Sequence, residues 1–316
     1  MLYDGPAHSR LWEKSAMGLL SKGEGLLLTD SEVIFCREHR GVEFEDISDQ
    51  RTFALWLSER VRLNRNILRE AAVLEALRVP GNKVVLSENF EPLGLESSGS
   101  WAMRWASDGH PSKAPPISEI LWYESNDVLH DVNQDPEDIL EGLLYWCDDV
   151  TRRGRLPEVL VIDEEQSVVT YRLNEADPRG DMKQPTEQVF EIISDNSVES
   201  LGSNGIFISD AMDWPLESIG IPLHGGRQLD ITEAEIVRLM GKKTQSTAKV
   251  EISVSHLSTI IDDELGVLSV SASILLDLWM RGLNTRSGFK YGTAWRCYSG
   301  DVGDGHAPWL VVDPSK

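Results

Sequence analysis

The chain has 316 residues, 41% hydrophobic and 26% charged, proportions expected of a soluble globular protein with more than one core. No run approaches the apolar length that spans a bilayer, and Met1-Leu2-Tyr3-Asp4-Gly5-Pro6 lacks the basic and apolar regions of a signal peptide, so a cytoplasmic protein is expected. The net charge of −22 argues against broad nucleic-acid binding, because phosphate contacts need Lys and Arg; a small basic site on an acidic protein stays open.

Thr29-Asp30-Ser31-Glu32 fits a capping box and opens a helical pattern with Val33, Ile34 and Cys36 on its apolar side. A longer helical pattern over residues 68–77 stops at Pro80-Gly81. Strands are predicted within 99–105 and at 120–123, then a helix over 136–152 with Ile139, Leu143, Leu144 and Trp146 available for the core. Two further strands, 159–162 and 168–171, flank an acidic turn, and the hydrophilic stretch 174–186 is predicted to be a linker.

From residue 187 the order begins again. Thr232-Glu233-Ala234-Glu235 reads as a second capping box, with Ile236, Leu239 and Met240 behind it. A helical pattern over 274–281 stops at Gly282, and residues 282–312 read as strand, strand, polar loop, strand. Residues 99–105 align with 292–298 at an offset of 193, and 120–123 fall where 309–312 fall.

The expected fold class is mixed α/β (α+β), in tandem modules of an N-terminal α/β domain plus a nuclease-like mixed sheet. The boundaries are 1–60 and 61–174 for the first module, 175–186 for the linker, and 187–250 and 251–316 for a second module that is C-terminally incomplete.

Cys36, Cys147 and Cys297 form neither a zinc pattern nor a disulfide framework and read as free thiols. Cys297 and Tyr298 are adjacent on a predicted strand, so their side chains point to opposite faces. Tyr298 and His306 stand at the two ends of the polar loop, and a phenol and an imidazole around one cavity can move protons without a metal. By spacing alone, a cross-strand packing tyrosine and a turn-fixing histidine fit better than catalysis. Lys290 and Arg296 are candidate phosphate contacts or merely solvated charges. Arg152, Arg153 and Arg155 fit helix-dipole complementarity at least as well as RNA binding. Core packing suits Trp56, Trp146 and Trp279 better than base stacking. The glycines at 202–205 and 225–226 do not resemble a phosphate loop, and Asp262-Asp263-Glu264 reads as an exposed acidic turn, so no metal site is expected.

Residues 267–313 resemble the catalytic domain of the tRNA-splicing endonucleases, the tRNA-intron lyases of archaea and eukaryotes. The matching words are Arg281-Gly282, Gly288-Phe289-Lys290-Tyr291-Gly292, Arg296-Cys297-Tyr298 and His306-Ala307-Pro308-Trp309-Leu310-Val311, with weaker resemblance at 29–44 and 155–173. The resemblance implies cofactor-free cleavage of precursor tRNA at exon–intron junctions, within a bulge-helix-bulge recognised by shape. Tyr298 is then the general base on the ribose 2′-OH, and His306 the general acid on the departing 5′ oxygen. A lysine stabilising the transition state is expected beyond Lys316, because Arg155, fifty residues after Trp105, stands at its counterpart in the first half.

With Trp105 at the tyrosine position, and Lys113 or Ile117 rather than nearby His110 at the histidine position, the first module reads as noncatalytic. The family's assemblies imply a homodimer or pseudo-tetramer. The alternatives are a noncatalytic subunit of the same complex and a nuclease-fold protein that binds RNA without cutting. Residues 187–250 carry no functional assignment.

Overall fold

The computed structural model describes residues 1–21, 25–97, 99–126, 136–209, 211, 213–242, 267–303 and 305–315, with 136–140 and 242 as backbone only. It is a mixed α+β structure with eight helices and four sheets among the described residues, divided into the units Met1–Glu175 and Ala176–Lys316.

The first unit starts with a small antiparallel sheet of β1 (Leu2–Tyr3), β2 (Leu19–Ser21) and β3 (Gly25–Leu27), ordered β1-β3-β2, with α1 (His8–Ser15) between the first two strands. Next comes α2 (Asp30–Arg40), where Thr29 and Glu32 form the predicted capping box. Glu32 also accepts the Gly18 amide at 2.9 Å and lies fully buried 3.5 Å from the Arg78 guanidinium. Gly18 sits at φ 59°, and a Cβ there would meet the Leu27 carbonyl oxygen at 2.4 Å, so the close approach requires glycine. Helix α3 (Gln50–Leu63), capped by Asp49, had no counterpart in the sequence reading; α4 (Ile67–Arg78) did.

A five-stranded sheet follows: β4 (Lys83–Leu86), β5 (Ala102–Trp105), β6 (Ser118–Glu124), β7 (Leu156–Ile162) and β8 (Val168–Arg172), in chain order. Helix α5 (Pro136–Arg152) crosses from β6 to its parallel neighbour β7. In α5, Trp146 is buried and Leu143 half-buried, but Leu144 is exposed, because the face packed on the sheet is that of Leu143, Trp146, Cys147 and Val150; the side chain of Ile139 lies outside the described residues. One apolar core spans both sheets, from Tyr3, Leu26 and Phe35 through Leu74 to Val84, Ile120 and Leu160.

In the second unit, α6 (Glu187–Ser194) precedes a sheet of β9 (Val198–Ser200), β10 (Ile206–Ile208), β11 (Ile221–Leu223) and β12 (Gly226–Leu229), ordered β11-β12-β10-β9. Helices α7 (Ile231–Lys242) and α8 (Val270–Met280) lead to the antiparallel sheet β13 (Asn284–Ser287), β14 (Trp295–Tyr298), β15 (Trp309–Val311). Phe190, Ile193, Leu229, Ile236, Leu275, Trp279, Trp295 and Cys297 form the core.

Two expectations need correction here. The cap of α7 is Asp230, not Thr232: Asp230 accepts the Glu233 amide at 2.8 Å, and Glu233 returns to the Asp230 amide at 3.0 Å. The expected linker is also partly bound. The amides of Gly180 and Met182 donate to the carbonyls of Arg281 and Gly282, both at 3.0 Å, and that of Asp181 to Ser299 at 2.7 Å. The polar composition of this segment conceals a backbone pairing that depends on glycine, since a Cβ on Gly180 would lie 2.2 Å from the Gly282 oxygen.

The two units share local wiring. The strand order β1-β3-β2 matches β10-β12-β11. In each unit, the glutamate of the capping box also accepts the amide of a left-handed glycine, Gly18 for Glu32 and Gly220 (φ 70°) for Glu233, the latter at 3.0 Å. A helix, α4 or α8, then runs into an antiparallel pair joined by 3₁₀ turns.

Candidate functional site

Strands β13 and β14 pair Asn284 with Tyr298, Thr285 with Cys297, Arg286 with Arg296 and Ser287 with Trp295. Strand alternation turns Trp295 and Cys297 into the core and sets Tyr298 and Arg296 on the opposite face with Asn284 and Arg286. Tyr298 is only 6% exposed. Opposite it, Asn284 is buried, and its Oδ1 has no hydrogen-bond partner among the described residues.

Arg286 is half-buried and donates to the Thr285 carbonyl at 2.7 Å. Burial lowers its pKa from the ordinary value, while the charges of Glu233, Glu217 and Tyr298 act in the opposite sense. This face therefore holds a phenol, an amide and two guanidinium groups.

His306 lies exposed on the loop between β14 and β15. No hydrogen bond joins it to Tyr298 among the described residues. Lys290 is exposed on a 3₁₀ turn, Phe289–Tyr291, rather than on a strand, because Gly288 and Gly292 break the extended conformation on either side. Arg296 stands near it, its Nε donating to the Ser287 carbonyl at 2.8 Å and its guanidinium 5.8 Å from the Tyr291 ring centre. Arg296 thus lies against the turn that carries Lys290, and Tyr298 is paired with Asn284 across the ladder, with Arg286 on the same face. Sequence reasoning missed Asn284, Arg286, Phe289 and Tyr291. Strand alternation back from Tyr298 and the two flanking glycines were the available signals.

In the first unit, Trp105 occupies the ladder position of Tyr298, opposite Lys83. It is buried, with Nε1 donating to the Ala114 carbonyl at 2.8 Å. His110 is held between Ser112 Oγ at 2.7 Å and the Trp12 carbonyl at 3.0 Å. Lys113 is exposed, and the Ile117 amide extends the β5–β6 ladder by donating to Arg104. Arg155 pairs with buried Glu119 at 2.5 Å and donates to the Glu96 carbonyl at 2.8 Å. Arg152 and Arg153 pair with Asp148 and Asp149 along their own helix. This basic cluster is therefore engaged within the protein.

An open cleft of about 500 Å³ is lined by Trp214, Glu217, His224 and Arg227 among others. Its arginine already donates to Glu217 at 2.7 Å and to the carbonyls of Leu216 and Ile219, which is a packing role. The described residues contain no cluster of three or more metal-ligating side chains, and Asp262-Asp263-Glu264 lies outside them. The free thiols of Cys36 and Cys297 are buried and pushed up to about 12 and about 11 by burial; Cys147 is half-buried. No helix among the described residues is long and apolar enough to cross a membrane. No protein-family model matches the chain, and no curated protein is similar to it.

Proposed function

We propose that the chain is a metal-independent RNA endonuclease of the tRNA-intron type, acting in the cytoplasm on precursor tRNA at a bulge-helix-bulge. The ribose O2′ attacks the adjacent phosphorus while Tyr298, as phenolate, takes the 2′-OH proton. The P–O5′ bond breaks as protonated His306 gives its proton to the leaving oxygen. The products are a 2′,3′-cyclic phosphate and a 5′-hydroxyl, and proton exchange with solvent restores both side chains. The negative charge that develops on the nonbridging phosphoryl oxygens calls for a cation, a role the resemblance assigns to a lysine. Arg286 and Arg296 supply positive charge on the face of Tyr298.

The observation that supports this reading best is the contrast at one ladder position: Tyr298 in the second unit, and Trp105, which has no acid–base chemistry, in the first. A noncatalytic unit fused to a catalytic one would build a pseudo-tetramer as a homodimer, and the shared strand order of the two units is consistent with tandem modules. A second reading, a noncatalytic assembly subunit, is favoured by the 6% exposure of Tyr298.

Incubation of the protein with an intron-containing precursor tRNA in EDTA, with the ends mapped, separates the two. Cleavage to cyclic-phosphate and 5′-hydroxyl ends, lost in Tyr298→Phe and His306→Ala, supports the enzyme. Binding without cleavage supports the noncatalytic subunit, and a metal requirement in the chemical step would sink the mechanism.

A further inference from the structure

The 23 residues from Leu278 to Gly300 include Arg281, Arg286, Lys290 and Arg296 and no aspartate or glutamate. No other stretch of this chain, whose net charge is −22, runs as far without a carboxylate side chain. Near its middle is the turn Phe289–Tyr291, between β13 and β14. Phe289 is 87% exposed, more than any other large hydrophobic side chain described, and Tyr291 is 56% exposed. Burying a phenylalanine elsewhere is worth about 1.5–3 kcal/mol, so a ring left in water has no folding rationale.

The turn is also pre-organised. The Gly288 amide donates to Ala294 at 2.9 Å, that of Tyr291 to Gly288 at 2.8 Å and that of Gly292 to Phe289 at 3.2 Å. Gly292 has φ 66°, and a Cβ on Gly288 would sit 2.2 Å from Thr293 Oγ1. Phe289 is therefore held outward by a turn that only glycines permit at its two ends.

The first unit supplies an internal control. Its connection between β4 and β5 also uses 3₁₀ turns, Ser87–Asn89 and Glu91–Leu93. There Phe90 is turned inward against Val85, Met103 and Trp105, and the charges beside it are Glu88 and Glu91. The hairpin does not itself demand an exposed ring or a basic turn.

We propose that Phe289 and Tyr291, flanked by Lys290 and Arg296, form a stacking platform for an unpaired nucleotide of a single-stranded RNA segment. A nucleotide joins a flat π face to an anionic phosphate, and the turn offers aromatic rings and cations side by side. RNA as the occupant rests on the function proposed above, but stacking requires neither Tyr298 nor His306.

The test is equilibrium binding of the full chain, by fluorescence anisotropy, to a labelled single-stranded oligoribonucleotide and to an abasic strand of equal length. Phe289→Ala weakens oligoribonucleotide binding by about 5- to 150-fold, the range of one lost base stack, and leaves abasic binding unchanged. Lys290→Ala weakens both and lowers the salt dependence by about one ion. The thermal midpoint of Phe289→Ala matches wild type, since the ring is 87% exposed. Unchanged affinity in Phe289→Ala, or no binding by wild type, overturns the platform. So does equal competition by polyglutamate, which points instead to an acidic protein partner. Cleavage of precursor tRNA without a Phe289→Ala effect removes the platform alone; the Phe289→Ala effect without any cleavage removes the endonuclease and leaves the platform standing.

Discussion

Glu233 is a buried carboxylate at the start of α7, 8% exposed, with two backbone amides on its oxygens. Burial raises its pKa, and the neighbouring charge of Asp230 adds to the rise. The hydrogen bonds from Gly220 and Asp230 and the charge of Arg286 oppose it, and the balance is about 7, against an ordinary value of 4.5. The folded chain therefore keeps a proton that the unfolded chain releases across this window. The stability due to the protonated form is full below pH 4.5 and is lost as pH rises to about 7. The difference 7 − 4.5 is about 2.5 units, which at about 1.36 kcal/mol per unit gives ~3 kcal/mol.

Glu233→Gln removes the titration at nearly constant shape. Its single amide oxygen serves only one of the two backbone donors, at a cost of about 1–3 kcal/mol, present at every pH. Urea unfolding followed by tryptophan fluorescence, from about pH 4.5 to about pH 8, measures both proteins. The wild-type advantage over the variant is expected to shrink by ~3 kcal/mol across the window and then level off. Titrating groups remote from Glu233 cancel in the difference; Asp230, whose charge acts on it, titrates together with it. An advantage constant to within about 0.5 kcal/mol, the scatter at which independent effects add, would show that Glu233 does not hold this proton.

In the first unit, Glu158 accepts Arg104 at 2.7 Å on each oxygen, Ser118 at 2.8 Å and Arg172 at 3.1 Å, tying four strands together. Glu158→Ala strands a buried guanidinium and is expected to lower stability by about 3–5 kcal/mol in chemical denaturation. Burial would raise the pKa of Glu158, but these hydrogen bonds outweigh it and hold the group below 4.5; its contribution is present above pH 4.5 and fades in acid unfolding below it. Arg78→Met leaves Glu32 buried without its counter-ion, with a similar loss expected in the same assay. Gly180→Ala drives a Cβ into the Gly282 carbonyl and should free residues 180–182, read as faster tryptic cleavage at Arg179 and Lys183.

Helices with one clear apolar face and strands between glycines were legible in the sequence, because the periodicities that mark them are local. Helix α3 was missed although its Asp49 cap is local; other missed features depended on partners distant in the chain. Thr232 and Asp230 both precede a glutamate at capping-box spacing. The choice falls on Asp230 because Glu233 then also reaches the Gly220 amide, thirteen residues back. The segment around Gly180 is polar enough to read as a linker, and only its approach to Gly282 shows otherwise. At the candidate site, the tyrosine and the histidine were visible as chemistry. Asn284 and Arg286 were not, because cross-strand register is decided by the turn that Gly288 and Gly292 shape. The exposure of Phe289 was not legible either, because it is set by the turn that points the ring outward.

The two ladder positions also predict what a single substitution cannot do. Beside Trp105, Lys83 is fastened by its ammonium to the carbonyls of Ser107, at 2.7 Å, and Gly109. His110 is held by Ser112 and Trp12, and Arg155 by Glu119. Lys83, His110 and Arg155 are thus already bonded within the fold, whereas the loop bearing His306 lies at the surface. Trp105→Tyr would thus restore a phenol without restoring an acid or a cation beside it. It would also leave the Ala114 carbonyl without its indole donor, at about 1–3 kcal/mol. The double variant Trp105→Tyr, His306→Ala is expected to be as inactive on precursor tRNA as His306→Ala alone, and to melt lower. Recovered cleavage in the double variant would show that the first unit lacks only its tyrosine, and that the bonds around Lys83 and His110 open under substrate.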